Sequence, residues 1–165
     1  MALRTPARFT VDVDLAVAVR DDGEAEAVTM AFLGRGFSLV NAIEHETTGR
    51  LAAVRLQRGP GEEVDLMFAL TGIEGSVVQD ADVVEILPGR RARAAALGHL
   101  VAMKLLSVDE RRPRDAQDLL ALLARCDEVE RRRAEVAVAA MEAAGTSRGR
   151  HLARALEEWV ARARG

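Results

Sequence analysis

The chain has 165 residues, 49% hydrophobic and 30% charged, which fits one globular domain or two small lobes and excludes a disordered, collagen-like or low-complexity protein. A single cysteine, Cys126, excludes an internal disulfide, and three His with that Cys make no zinc pattern. Neither a signal peptide nor an apolar run of the roughly 18 residues that a membrane-spanning helix needs is present, so a cytoplasmic protein without a membrane partner is expected.

Along the chain, the first half alternates strands and short helices. In residues 9–19, Phe9, Val11, Val13, Leu15, Val17 and Val19 share one face and Arg8, Thr10, Asp12, Asp14, Ala16 and Ala18 the other, the signature of a strand with one apolar side. Asp21 and Asp22 offer an N-cap for a helix over 24–33 that Gly34 and Gly36 end. Strands are predicted over 37–43 and 51–56, joined by a turn, and again over 64–69, which puts Asp65 in mid-strand between Val64 and Leu66. Thr71 and Glu74 have capping-box spacing for a short helix over 72–79, and 83–87 reads as a last strand closed by Pro88 and Gly89. Beyond it no strand signal remains, and helices are predicted over 94–108, 113–126, 128–144 and 147–164. The expected fold class is α/β (α+β): a small mixed sheet with flanking helices in an α/β lobe, residues 1–88, followed by a C-terminal helical lobe, residues 89–165, packed against it as one unit.

Charge follows the same division. Residues 1–87 carry 7 Lys+Arg against 15 Asp+Glu, net −8, and residues 88–165 carry 16 against 11, net +5. An acidic half suits divalent cations and a basic half suits phosphates. Of the 23 basic residues 22 are Arg, and the only Lys is Lys104. An Arg-rich composition that keeps one lysine has two readings: chance survival, or a position where a compact ammonium serves and a planar guanidinium does not.

Asp12 and Asp14, two apart on a strand, project from one face with Cβ atoms roughly 7 Å apart, close enough to share a cation. A lone D-x-D also describes solvated acids. Here the neighbours of both are apolar, so the acids are expected within packed structure, and Asp65 repeats the pattern in a second strand. If the two strands are adjacent, three carboxylates converge as a phosphoryl- or nucleotidyl-transfer site with two metal ions requires.

Three segments carry a resemblance: R-F-T-V-D-V-D-L-A-V at residues 8–17, V-D-L-M-F with G-I-E at 64–68 and 72–74, and H-L-V-A-M-K-L-L with R-R-P-R-D-A-Q-D-L-L within 99–120. Together they resemble the AbiEii-type bacterial nucleotidyltransferases of the polymerase-beta-like superfamily, over roughly residues 4–123. The resemblance implies that Asp12, Asp14 and Asp65 bind Mg²⁺ or Mn²⁺, with Asp65 also the catalytic base. It implies that Lys104 is catalytic and faces the nucleotide phosphates, and it matches Asp115 and Asp118 to acidic positions beside that lysine. The family's Gly-Gly or Gly-Ser pair upstream of the first Asp does not occur in residues 1–11: either the natural start lies further upstream, or this is a shortened member; weak transfer is expected of residues 1–165 if they are the whole chain, and self-association of them in either case.

The implied function is metal-dependent transfer of NMP from an NTP to a hydroxyl acceptor on a protein, an RNA or a small molecule. The alternative is a non-catalytic module of the same fold that binds a nucleotide or a cognate partner in a toxin-antitoxin pair. A phosphohydrolase or nuclease could use the same acids but has no motif of its own here. Arg8 and Thr10 share the acid face and are candidates for nucleotide binding. Arg111, Arg112 and Arg114 could grip phosphate or pair with Asp109 or Glu110. Arg131 to Arg133 read as a solvated helix face, His99 as a packed histidine and Cys126 as a small buried apolar residue. With 3% aromatic residues, the chain offers no stacking platform for single-stranded nucleic acid.

Overall fold

A computed structural model describes residues 12–45, 48–109 and 113–164. Helices make up 46% of it and strands 24%, the expected mixed α/β content. The chain divides between Gln79 and Asp80 into two compact units. None of the described helices is long and apolar enough to cross a membrane.

The first unit is built on a four-stranded sheet. Strand β1 (Asp12–Ala16) is followed by helix α1 (Asp22–Leu33), strands β2 (Ser38–Glu44), β3 (Leu51–Gln57) and β4 (Glu63–Met67), and helix α2 (Glu74–Gln79). The order is β1-β4-β3-β2, with β1 parallel to β4 and the other pairs antiparallel. Asp21 caps α1 by accepting from the Glu24 N–H at 3.0 Å, and the chain leaves the helix through Gly36, whose φ of 85° is in the left-handed region. Glu74 reaches back to accept from both the N–H and the hydroxyl of Thr71 at 2.6 and 2.8 Å, as the capping-box spacing predicts. Val54, Leu56, Val64 and Leu66 carry the core, with Ala25, Val28 and Phe32 of α1 packed against them. The core is therefore on one face of the sheet, and alternation along each strand sends the polar residues to the other.

The second unit starts with the hairpin β5 (Asp82–Leu87) and β6 (Arg90–Ala94) and continues with α3 (Leu97–Ser107), α4 (Pro113–Leu123), α5 (Glu128–Ala143) and α6 (Leu152–Arg164). Strand β6 is absent from the sequence prediction because R-R-A-R-A contains no large apolar residue; antiparallel pairing with β5 across the Pro88-Gly89 turn makes it a strand. The hairpin thus belongs with the helices, and the division falls nine residues before the one expected after residue 88. Helix α6 begins at Leu152 rather than 147 because Arg148 and Gly149 have φ of 54° and 70°, outside the helical range. Val101, Leu105, Leu119, Leu122, Val138 and Met141 are fully buried and join α3, α4 and α5 into this unit's core.

Candidate metal centre

Parallel pairing of β1 with β4 sets Asp12 against Glu63 and Asp14 against Asp65, and antiparallel pairing of β3 with β4 sets Arg55 against Asp65. Paired residues share a face, so Asp12, Asp14, Glu63, Asp65 and Arg55 all stand opposite the core. One oxygen from each of Asp12, Asp14 and Asp65 lies within 4.8 Å of the others, a group that can hold a metal ion. Adjacency of the two acid-bearing strands and convergence of the three carboxylates are as the sequence predicts.

Their surroundings are not. Asp12 and Asp14 are exposed and Asp65 is partly buried, rather than enclosed in packed structure. The reason is topological: β1 is an edge strand, and the carboxylates lie on the face away from the hydrophobic cluster. Even on the core side of β1, Val13 and Leu15 remain 54% and 37% exposed. Asp14 nonetheless takes up a proton more readily than an ordinary carboxyl, first because it is partly desolvated and then because Asp12 and Asp65 repel its charge; Arg55 offsets only part of this.

Arg55 is the residue the sequence reading missed. Its Nε donates to Asp65 Oδ1 at 2.7 Å and its Nη2 to Asp65 Oδ2 at 2.6 Å, a two-pronged ion pair. Its guanidinium holds its proton more tightly than usual, chiefly through that pairing and further through Glu63 and Asp12. The signal was available: in L-A-A-V-R-L-Q a lone charge interrupts an apolar strand, at the parity that faces away from Val54 and Leu56.

Lys104 belongs to the second unit, on α3. Its ammonium is 2.6 Å from Asp115 Oδ1 and 3.4 Å from Asp118 Oδ2, so the three residues singled out in that segment do meet. Arg8, Thr10, Arg111 and Arg112 lie outside the described residues. Arg114 is exposed on the first turn of α4. Arg133, expected to be solvated, is half-buried and pairs with Glu130 and with Asp80, the latter at 3.6 Å. Cys126 is buried, its thiol pushed up to about 11 by burial and donating to the Leu122 carbonyl, which makes it a packing residue as expected.

Three carboxylates, with no nitrogen or sulfur ligand joining them among the described residues, are the donor set of a hard divalent cation that keeps water or phosphate oxygens in its remaining positions, and Mg²⁺ and Mn²⁺ are of that kind. No protein-family model matches this chain, and no curated protein does.

Proposed function

We propose that the acid face of the four-stranded sheet is the metal centre of a nucleotidyltransferase, which moves a nucleoside monophosphate from an NTP to a hydroxyl acceptor. The observation that supports this most is the approach of one oxygen from each of Asp12, Asp14 and Asp65 to within 4.8 Å, on two strands brought into register by parallel pairing. A divalent cation bound there would neutralise triphosphate charge and lower the pKa of an attacking hydroxyl. Asp12 and Asp14 would hold it from β1. Asp65 would hold it from β4 and is the group nearest in kind to a base for the acceptor hydroxyl. The exposure of the carboxylates suits a site that receives two substrates. The family resemblance marks Lys104 as a phosphate-binding cation; within its own unit its ammonium pairs with Asp115 and Asp118.

Titration calorimetry with MnCl₂, then with an NTP analogue, tests the reading on the full chain. Asp14→Asn is expected to weaken Mn²⁺ binding by about tenfold or more, because it replaces a charged carboxylate ligand with a neutral, weaker amide oxygen. The same variant is expected to unfold at the same temperature as wild type or higher, since it relieves a cluster of like charges. Equal Mn²⁺ affinity in wild type and Asp14→Asn would overturn the assignment.

A further inference from the structure

Arg55 binds Asp65 with its whole fork, so both oxygens of the third carboxylate are engaged by a guanidinium. Any cation gathered by Asp12, Asp14 and Asp65 must take one of those same oxygens. Each oxygen keeps a second lone pair, but two positive groups crowded on one carboxylate repel each other, and that repulsion sets them in competition. From that competition, and resting on the metal-centre reading above, we infer that Arg55 is an internal counter-ion of the site: a divalent cation displaces it from Asp65, and the released fork then binds the phosphates of the incoming nucleotide.

Placement supports the exchange. Arg55 is the exposed residue in the middle of a strand whose neighbours Val54 and Leu56 are buried in the core, so its backbone is fixed while its side chain is 46% exposed and has room to turn. Asp65 is only 20% exposed, and without a cation it is the carboxylate in most need of a partner. A planar fork with two parallel N–H groups fits phosphate as well as it fits carboxylate. Charge changes in step: the cation takes over neutralisation of the acids, which frees a positive group just as a polyanion enters. A plain surface ion pair would have no such coupling.

The test uses the full chain, with MnCl₂ alone and then inorganic tripolyphosphate at saturating Mn²⁺. Arg55→Met should bind Mn²⁺ several-fold more tightly than wild type and tripolyphosphate about tenfold more weakly, opposite signs from one substitution. Arg55→Lys keeps the charge and loses the fork, and it should shift both affinities in the same directions by smaller amounts. Wild-type values for both affinities in Arg55→Lys would overturn the inference, because a group that only neutralises charge is replaced by lysine without loss. Unchanged tripolyphosphate affinity in Arg55→Met would overturn it too. If Arg55→Met does not fold, Arg55→Lys alone decides. Mn²⁺ binding that is lost in Asp14→Asn yet equal in wild type and both Arg55 variants would remove the role of Arg55 and leave the metal centre standing. Absence of Mn²⁺ binding in wild type and Arg55→Met alike would remove the metal centre and the inference with it.

Discussion

His99 is 3% exposed; its Nδ1 has no hydrogen-bond partner among the described residues, and its Nε2 stands 3.8 Å from Asp80 Oδ2. Asp80 and Glu130 favour the charged imidazole and Arg133 opposes it, but burial outweighs them and lowers its pKa below the ordinary 6.5. The folded chain thus binds this proton less readily than the unfolded chain, and the stability held above about pH 6.5 is lost as pH falls through the folded value. Between about pH 7.5 and 5.5 the thermal midpoint of wild type should fall, and that of His99→Leu should fall less; parallel curves would show that the imidazole is not the titrating group. Sequence reading gives His99 as a packed residue, since its neighbours on the segment are apolar. It does not bring Asp80 or Arg133 near His99, because both approach from other parts of the chain and no local pattern marks them.

Helix α3 shows the same division between near and distant information. Its N-cap residue, Ala96, has no side chain to cap with, and the Gly98 N–H instead donates to Glu130 Oε2 on α5 at 2.6 Å. At the other end Arg150 donates to the carbonyls of Leu105, Leu106 and Val108 at 3.1, 2.9 and 2.7 Å. An anion closes the positive end of the helix dipole and a cation the negative end, both supplied from far along the chain. Local caps such as Asp21 and the Thr71-Glu74 pair are readable in the sequence because cap and helix are neighbours; these two are not. Gly98 also lies directly against the backbone of α5. A Cβ there would stand 2.4 Å from the Glu130 carbonyl oxygen and 2.8 Å from the Ala134 nitrogen. Gly to Ala inside a helix ordinarily stabilises by up to about 1 kcal/mol. Here overpacking against rigid backbone, typically 1–3 kcal/mol, outweighs that gain, so Gly98→Ala is expected to lower stability in urea unfolding. A more stable variant would mean the helices separate at little cost.

Across the molecule, both cores follow from alternation and helical spacing, which is why nearly every helix and strand stands close to its expected place. Strand β6 and the division at Gln79 do not follow, because each depends on which segment meets which. The site divides likewise: the acids and their shared face are a matter of strand parity, whereas Arg55 and the openness of the face depend on strand order. That order has a consequence in time. Asp14 and Asp65 come from strands separated by the whole of α1, β2 and β3, and β1 is held at the sheet edge by a single parallel ladder. Closing so long a loop is entropically costly, and an edge strand with half-exposed Val13 gains little apolar burial in return. The expected result is a site that assembles late and opens first. In native-state hydrogen exchange, amides of β1 engaged with β4 should exchange well ahead of those joining β3 to β4. Added Mn²⁺ should slow β1 selectively, while equal protection of β1 and β3 without metal would contradict this order. A cation bridging Asp14 to Asp65 would then act as a latch on the last strand to arrive, making the completed fold itself dependent on metal concentration.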